Sequence, residues 1–289
     1  MKFSYYPGCV MHGTAVEYGM STLATCRTLG IDIVEIPDWN CCGALEVYPD
    51  MYLELALSAR NAAIAEETGF PMMTTCAICF HNVSKAYFAV NESEKAKDMI
   101  NDALGDMKYE GKEAIRHLLD ILVSDYGLEN ITAKVKRSLD GLKVAPFYGC
   151  LLARPKEIAR FDDPENPQFL DRLIDALGAE SVPFEHKMKC CGGSLLMSRE
   201  DLAHHLSREI LEEAVNVGAD CLVITCPMCN VLLDLQQKEI EKRYGITLNM
   251  PVLYFTQLIG LALGHKPKEL GLDKNVVSTA GVLKKLGVD

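Results

Sequence analysis

Short apolar or β-branched runs alternate with longer amphipathic segments along the whole chain. The short runs predict strands of a buried sheet, at residues 3–6, 31–36, 72–75, 144–148, 181–184 and 221–225. The longer segments have apolar residues at helical spacing, which predicts helices at 14–29, 50–68, 169–177 and 201–217. Strict alternation of strand and helix favours an α/β fold with parallel sheets and right-handed crossovers.

A further helix is predicted to close each half of the chain. These helices span residues 113–126 and 254–263, and residues 115–119 loosely parallel residues 252–256. Residues 128–140 are the expected connector between the halves. The last segment, 267–289, has a weak periodicity that fits either a short docked helix or an ordered tail.

Ten of the twelve cysteines form two sets with the same order, which indicates an internal duplication. Each set has a single cysteine, an adjacent pair followed by glycine, and a closing pair separated by two residues. The sets are Cys9, Cys41, Cys42, Cys76, Cys79 and Cys150, Cys190, Cys191, Cys226, Cys229. The extra length of the second half falls at 161–167, whose prolines and acidic residues predict a surface loop. We expect two similar Rossmann-like domains, 1–142 and 143–289, with each set gathered at the carboxyl ends of its strands.

Charge and hydropathy exclude several classes of protein. The 289 residues include 29 basic and 40 acidic side chains, giving a net charge of -11, which is opposite to the basic surface that nucleic-acid binding requires. The longest apolar run, 250–264, is shorter than the roughly 18 residues that cross a bilayer, and the amino terminus has no apolar signal-peptide core. A cytoplasmic protein without a membrane span is expected. In that reducing compartment, clustered cysteines favour metal or redox chemistry over disulfides.

Each cysteine set contains one thiol more than a tetrahedral ion needs. Adjacent cysteines on an extended backbone reach two irons of a larger cluster more easily than one compact ion. The glycine after the pair lets the backbone pass close to inorganic sulfide, because it has no Cβ. An iron–sulfur cluster is therefore the favoured interpretation, with a structural zinc site and a disulfide as the alternatives. Neither half has the cysteine run of bacterial ferredoxins, so another protein chain is expected to supply the electrons.

The doubled motif, a single cysteine before Cys-Cys-Gly and then Cys-x-x-Cys, resembles that of the cysteine-rich CCG domain family. The resemblance is strongest to the B subunits of the heterodisulfide reductases of methanogenic archaea, and it covers residues 4–263. Two complete units without a fused ferredoxin domain resemble those B subunits more than the iron–sulfur subunits of glycolate, lactate or glycerol-3-phosphate oxidising systems.

The resemblance implies a function, cofactors and partners. Each set would hold a noncubane [4Fe-4S] cluster, with all ten cysteines as metal ligands. The two clusters would reduce the mixed disulfide of coenzyme M and coenzyme B to two thiols by one-electron steps, in methanogenesis with electron bifurcation. The chain itself would bind no flavin or nucleotide. Its partners would be the ferredoxin-like iron–sulfur C subunit and the flavin-containing A subunit of such a reductase, with a hydrogenase or formate dehydrogenase as electron source.

Several residues outside the two sets are candidates for further roles. Cys26 and Cys221 have no counterpart in the opposite half and are expected to be buried free thiols. Two histidines either hydrogen-bond to cluster sulfur or have ordinary packing roles, namely His81 and His186. The sulfonate and phosphate of the implied substrate need local positive charge, for which the nearest basic residues in sequence are Arg154, Lys187 and Lys189. The alternative for these three is an ordinary solvated surface.

Two other functions remain open at this stage. One is an electron-relay subunit of a glycolate-, lactate- or succinate-type oxidoreductase, which would pass electrons onward without binding a disulfide. The other is a zinc-stabilised interaction module, which would have no redox activity and no colour.

Overall fold

The computed structural model describes residues 1–44 and 50–288, and in this part each half of the chain forms one four-stranded sheet. The first sheet contains β1 (Lys2–Tyr5), β2 (Asp32–Glu35), β3 (Met72–Thr74) and β4 (Ile115–His117). The second contains β5 (Lys143–Phe147), β6 (Glu180–Ser181), β7 (Cys221–Ile224) and β8 (Val252–Tyr254). All strand pairs are parallel, so the predicted α/β class with two similar sheets is confirmed.

Both sheets have the same strand order, β2-β1-β3-β4 and β6-β5-β7-β8. In the first sheet Ser4 of β1 pairs with Met72 of β3, and in the second Val144 of β5 pairs with Cys221 of β7. The central strands β3 and β7 are wholly buried, which is why they are continuous apolar runs. The strand before the single cysteine and the strand before the closing pair are therefore neighbours in each half.

The helices follow the strands in both halves. They are α1 (Val16–Leu29), α2 (Met51–Glu66), α3 (Ala77–Glu92), α4 (Glu94–Leu104), α5 (Leu118–Asp120), α6 (Leu128–Thr132), α7 (Lys156–Ala159), α8 (Phe169–Ala176), α9 (Glu200–Asn216), α10 (Pro227–Asn230), α11 (Gln237–Tyr244), α12 (Phe255–Ala262) and α13 (Ala280–Lys285). Two of them continue as π-helices, α5 into Ile121–Tyr126 and α10 into Val231–Leu235. A capping side chain determines where α2 begins. The Asp50 carboxylate accepts the backbone N–H groups of Tyr52 and Leu53, both at 3.1 Å, and so begins α2.

The sequence-based prediction missed the fourth strand of each sheet. The segment 113–126, predicted as one helix, begins as β4, in which Ile115 pairs with Met72, and becomes helical only at Leu118. In the second half Val252–Tyr254 likewise forms β8 before α12 begins. A short apolar run has the same pattern in a strand and in a buried helix. Its secondary structure is therefore decided by whether it pairs with the central strand. The predicted helix over 113–126 was therefore wrong only in its first residues, since Leu118–Tyr126 is helical. The predicted parallel between the halves is a junction of strand and helix in both.

The strand predicted at 181–184 is also shorter than expected. Its pairing with β5 is limited to Glu180–Ser181, and the chain turns into a 3₁₀-helix at Glu185–Met188. The segment 161–167 contains neither helix nor strand, as predicted, but Phe161 packs inward against Phe80 with ring centroids 5.8 Å apart.

The carboxyl-terminal residues 267–288 form an ordered segment that ends in a helix. It contains the 3₁₀-helices Pro267–Leu270 and Leu272–Lys274 and then α13. The Asp234 carboxylate holds it by accepting the N–H groups of Val276 and Val277 at 2.8 and 2.9 Å. The Pro267–Leu270 turn packs against α1 of the first half. The segment thus combines the two alternatives that the sequence left open.

The two halves contact each other through α1 and α12. The hydroxyls of Ser21 and Thr256 are 2.7 Å apart, and the Thr25 hydroxyl donates to the Thr256 carbonyl at 3.1 Å. All three residues are buried. The interface between the halves is therefore a packed, hydrogen-bonded core.

Two aromatic contacts cross this interface, one at the end of each fourth strand. Tyr18 of the first half stacks on Tyr254 of the second, with ring centroids 3.9 Å apart and an interplanar angle of 9°. Phe161 of the second half stacks on His117 of the first, at 6.5 Å and 2°. Tyr254 and His117 are the last residues of the fourth strands, so each fourth strand ends against an aromatic ring of the other half.

Candidate metal centres

The single cysteine of each set lies in the loop after the first strand of its sheet. It follows a glycine in the left-handed conformation, Gly8 with φ +75° and Gly149 with φ +70°. A Cβ added to Gly8 would lie 2.9 Å from Sγ of Cys79, and one added to Gly149 would lie 3.4 Å from Sγ of Cys229. The glycine is thus needed for the turn and for the close approach of the last cysteine of the same set.

The adjacent pairs follow the second strand of each sheet and present their two thiols differently. Cys41 is half-buried and Cys42 is buried, whereas Cys190 is exposed and Cys191 is buried. The glycine after each pair is left-handed, with φ of +82° and +83°. The turn lets one thiol of each pair stay near solvent while the other lies in the interior.

The closing pairs begin the helix that follows the central strand. Cys76 is the N-cap residue of α3, and Cys226 is the N-cap residue of α10. Their partners Cys79 and Cys229 lie three residues later, on the same side of the first turn. Free N–H groups at a helix start favour the thiolate form of cysteine. Thiol contacts are the main cause of the low pKa of Cys226, and the backbone N–H groups of Cys229 and Met228 lower it further.

The thiols of the first set contact one another in a continuous series. Hydrogen bonds with the thiols of Cys42 and Cys9, followed by the N–H groups of Gly43 and Ala44, lower the pKa of Cys41 to about 2. The same contacts raise the pKa of Cys9, and they raise that of Cys42 to about 12. Contacts with Cys42 and Cys76 raise the pKa of Cys79. The series therefore links all five cysteines of the set.

The second set repeats most of these contacts and reaches across to the first. The Cys150 thiol and the N–H of Gly192, 3.4 Å from the sulfur, lower the pKa of Cys190 to about 6. Contacts with Cys191 and then Cys226 raise the pKa of Cys229. The thiols of Cys229 and Cys76 lower the pKa of Cys226. Cys76 and Cys226 are thus the point where the two sets meet.

A cavity of about 360 Å³ lies at the second set, on the side that faces the first half. All five cysteines of the second set line it, together with first-half residues beside the first set, among them Ala44, Ile78 and Asn82. Among residues 1–44 and 50–288, no charged side chain lines this cavity. Its walls are thiols, small or apolar side chains, the Asn82 amide and a serine.

A serine that the sequence did not single out supports each adjacent pair. The Ser58 hydroxyl donates to the Cys42 carbonyl at 3.0 Å, and the Ser207 hydroxyl donates to the Cys191 carbonyl at 2.7 Å. Each serine is 16 residues after its cysteine, so the identical spacing in the two repeats was the available signal. Asn82 adds a long contact in the first half only, 3.9 Å from Nδ2 to Sγ of Cys42.

The three basic residues considered for substrate binding lie outside the cavity lining. Arg154 pairs with Glu165 at 2.8 Å, and Lys189 pairs with Glu209 at 2.7 Å. Lys187 donates to the Pro167 carbonyl at 2.7 Å and lies 3.4 Å from the Asp171 carboxylate. In this structure their charges are satisfied by the protein itself.

The two histidines considered as donors to cluster sulfur, His81 and His186, have other surroundings. Nδ1 of His186 is 2.7 Å from a carboxylate oxygen of Glu213. Burial lowers the pKa of His81 to about 4, and among residues 1–44 and 50–288 its Nδ1 has no hydrogen-bond partner. Neither ring lines the cavity in the described part of the chain.

The unmatched cysteines are buried thiols, as predicted. Cys26 and Cys221 are both 0% exposed. Burial raises the pKa of Cys26 to about 12 and raises that of Cys221 as well, so both stay protonated. All twelve cysteines of the chain are free thiols.

The donor chemistry of the two sets fits an iron–sulfur group. The first set links five thiols in one series, and the second gathers a contacting pair and a contacting group of three. In each set at least one thiol has a lowered pKa, as metal thiolates require. The glycines before the single cysteines provide the close backbone approach. In residues 1–44 and 50–288 no three His, Cys, Asp or Glu side chains are arranged around a single ion. No helix in the same residues is long and apolar enough to span a bilayer.

Known proteins share this architecture over nearly the whole chain. A solved structure of a hypothetical protein from Helicobacter pylori matches 96% of this chain with a TM-score of 0.75 and 17% identity. This chain spans about half of that protein, 52%. The likeness supports the fold alone.

Sequence relatives extend the comparison. The 8-methylmenaquinol:fumarate reductase membrane anchor subunit of Wolinella succinogenes is 38% identical, covering 96% of this chain and 97% of the relative. The B subunit of the ferredoxin/F420H2-dependent CoB-CoM heterodisulfide reductase of Methanosarcina acetivorans is 32% identical, covering 99% and 97%. The cysteine-rich domain model, CCG, matches residues 3–84 and 144–234, one match for each cysteine set. The chain therefore belongs to the cysteine-rich CCG domain family, in which it resembles heterodisulfide reductase B subunits over nearly its full length.

Proposed function

We propose that the chain is an iron–sulfur redox subunit of a multisubunit oxidoreductase, with one noncubane [4Fe-4S] cluster on each cysteine set. The observation that carries this proposal is the meeting of two five-thiol sets at Cys76 and Cys226, with a cavity beside the second set. When bound, such clusters accept and release electrons one at a time. The lowered pKa values of Cys41 and Cys190 provide thiolate ligands near neutral pH.

The reaction proposed at this cavity is reduction of the mixed disulfide of coenzyme M and coenzyme B. Breaking the sulfur–sulfur bond takes two electrons and two protons and yields two thiols. Two one-electron sites that meet across the interface suit a two-electron substrate. Relatives that are named as B subunits of heterodisulfide reductases support this choice.

The proposed partners supply those electrons. A ferredoxin-like C subunit and a flavin-containing A subunit would form the complex, with a hydrogenase or formate dehydrogenase as donor. Arg154, Lys187 and Lys189 would bind the substrate anions only by exchanging their present partners, which makes them a testable part of the proposal.

A second function is favoured by the charge of the cavity. In the described residues its lining has no cation to receive a sulfonate or phosphate, whereas an uncharged quinol ring would lose little hydration there. The relative named for 8-methylmenaquinol and fumarate points the same way. In this alternative the chain passes electrons between a quinol and its partner proteins without disulfide chemistry.

Metal analysis of anaerobically purified protein tests the cofactor. Two four-iron clusters require roughly eight irons per chain, with matching sulfide. Fewer than about five irons on fully loaded protein, with zinc making up the difference, would reject the two-cluster proposal.

Substrate thiols separate the two functions. Coenzyme M or coenzyme B enriched with a magnetic sulfur isotope is added to the oxidised protein, and its paramagnetic signals are recorded. A new signal broadened by the isotope is expected if the thiol reaches the metal site. An unbroadened spectrum, together with reduction by a menaquinol analogue, would favour the quinol function.

A further inference from the structure

One buried hydroxyl lies between the backbones that precede the two closing cysteine pairs. The hydroxyl oxygen of Tyr18 is 2.6 Å from the Thr75 carbonyl and 3.1 Å from the Thr225 carbonyl. Thr75 comes directly before Cys76, and Thr225 directly before Cys226. Tyr18 is 0% exposed, so water does not compete for these contacts.

The two carbonyls depend on this hydroxyl to different degrees. Nδ1 of His117 accepts the N–H of Leu119 at 3.2 Å, so the neutral ring carries its proton on Nε2 and donates to the Thr75 carbonyl at 2.7 Å. In the second half the matching residue is Tyr254, whose hydroxyl has no hydrogen-bond partner among residues 1–44 and 50–288. The Tyr18 proton can therefore be shared with Thr225, because Thr75 has a second donor.

The ring of Tyr18 is held in place independently of its hydroxyl. It stacks on Tyr254 at 3.9 Å and meets Phe255 edge-on, with centroids 6.1 Å apart. Tyr18 thus reaches from α1 of the first half, across the interface, to the end of the central strand of the second. This contact is next to the point where Cys76 and Cys226 meet.

We propose that Tyr18 is a positioning residue whose hydroxyl ties the Thr75 and Thr225 carbonyls together and thereby fixes how the two metal centres interact. The inference rests on the proposed function, because it assumes that each cysteine set holds a cluster. The donated proton is the positive end of a dipole beside both ligand segments. Its presence favours the reduced, more negative state of each centre. Its loss should lower at least one reduction potential and weaken the magnetic interaction between the centres.

Tyr254 offers a matched control within the same stacked pair. Tyr18→Phe and Tyr254→Phe each remove one buried hydroxyl and keep the ring, but only the Tyr18 hydroxyl has carbonyl partners in the described part of the chain. The cluster-loaded full chain of each variant is examined by a redox titration with electron paramagnetic resonance, alongside its melting temperature.

The expected result is a lowered midpoint potential and a partial loss of interaction broadening in Tyr18→Phe, with both unchanged in Tyr254→Phe. Iron content and signals of the unaltered chain are measured first, and fewer than two centres there would contradict the proposed function instead. Two centres with identical titrations in all three proteins would overturn the role of Tyr18, whatever the melting temperatures.

A second substitution keeps the test decisive if Tyr18→Phe does not load its clusters. Fluorotyrosine introduced at position 18 alone keeps the ring and the hydroxyl and makes the latter a stronger donor. A raised midpoint potential is then expected. Unchanged potentials in this protein would refute the proposal.

Discussion

Cysteine has different chemical states in this molecule, and the surroundings of each thiol decide among them. Cys26 and Cys221 are sealed in the core and stay protonated because burial disfavours the charged thiolate. Cys41 and Cys190 lie near solvent, where neighbouring thiols and backbone N–H groups lower their pKa values. The pKa of Cys42, by contrast, is raised to about 12, so it is the protonated partner of Cys41 in the free chain. Residue type alone therefore does not identify a ligand.

Substitution of the unmatched cysteines should leave metal content intact. Cys26→Ala and Cys221→Ala are expected to keep all iron and to cost about 1 kcal/mol of stability through a small cavity. Cys41→Ala and Cys190→Ala should each lose or convert one cluster. Iron and sulfide assays with denaturant unfolding measure both effects, and equal iron loss in the four variants would contradict the ligand assignment.

The serines behind the adjacent pairs should stabilise the ligand loops. Ser58→Ala and Ser207→Ala each remove a buried hydrogen bond to the second cysteine of a pair, worth about 1 kcal/mol. We expect faster iron release to a chelator from the affected half, with cluster loading still possible. Release as slow as in the unaltered chain would show that the loop holds its shape without the serine.

At the scale of elements, each ligand segment joins a strand to a following turn or helix, and glycine makes the junction possible. Gly8 illustrates this because its backbone is left-handed and an added Cβ would lie 2.9 Å from Sγ of Cys79. Gly30 ends α1 with a similar φ of +78°, but nothing in the described part of the chain lies within 4 Å of its added Cβ. Comparing the two positions distinguishes the cost of a left-handed backbone, present at both, from crowding of the metal site, present at Gly8 alone.

Alanine at these two glycines should therefore have different effects. Both substitutions carry a left-handed backbone cost of about 1 kcal/mol or somewhat more. Gly30→Ala should lose stability and retain all iron, whereas Gly8→Ala should also displace Cys79 and lose the first cluster. Equal iron content in the two variants would mean that the Cys79 side chain moves aside freely.

At the scale of the whole molecule, the two halves depend on each other. The α1–α12 contact buries hydroxyls and aromatic rings that neither half covers alone, and the Cys76–Cys226 contact crosses the same interface. We propose the boundary between residues 142 and 143, with each sheet and its cysteine set on one side. Each half then has its own sheet and its own cysteine set, but both halves are needed for the proposed function.

Separation of the halves tests this dependence. Residues 1–142 or 143–289 produced alone are expected to aggregate or to bind little iron, because Tyr18, Tyr254 and their neighbours would face water. Both fragments produced together should reassemble and recover iron. Gel filtration and metal analysis measure the outcome, and a stable, fully loaded single half would refute it.

Both clusters should be required for disulfide reduction. Cys42→Ser and Cys191→Ser each alter one set, and either substitution is expected to abolish two-electron reduction of the disulfide while the other centre remains. One-electron reduction of that centre by dithionite should persist in both variants. Turnover at half the usual rate in either variant would argue that one set is sufficient.

The sequence by itself determined the duplication, the alternation of strand and helix, and the two cysteine sets, because spacing and periodicity are local. It could not determine the fourth strands, since a three-residue apolar run becomes β4 or β8 only by pairing with a central strand. Nor could it determine the ion pairs of Arg154, Lys187 and Lys189, whose acidic partners are brought to them by folding. The meeting of Cys76 with Cys226, and the Tyr18 hydroxyl beside it, join residues more than 50 positions apart. Such contacts come from the packing of two halves against each other, which only the tertiary structure decides.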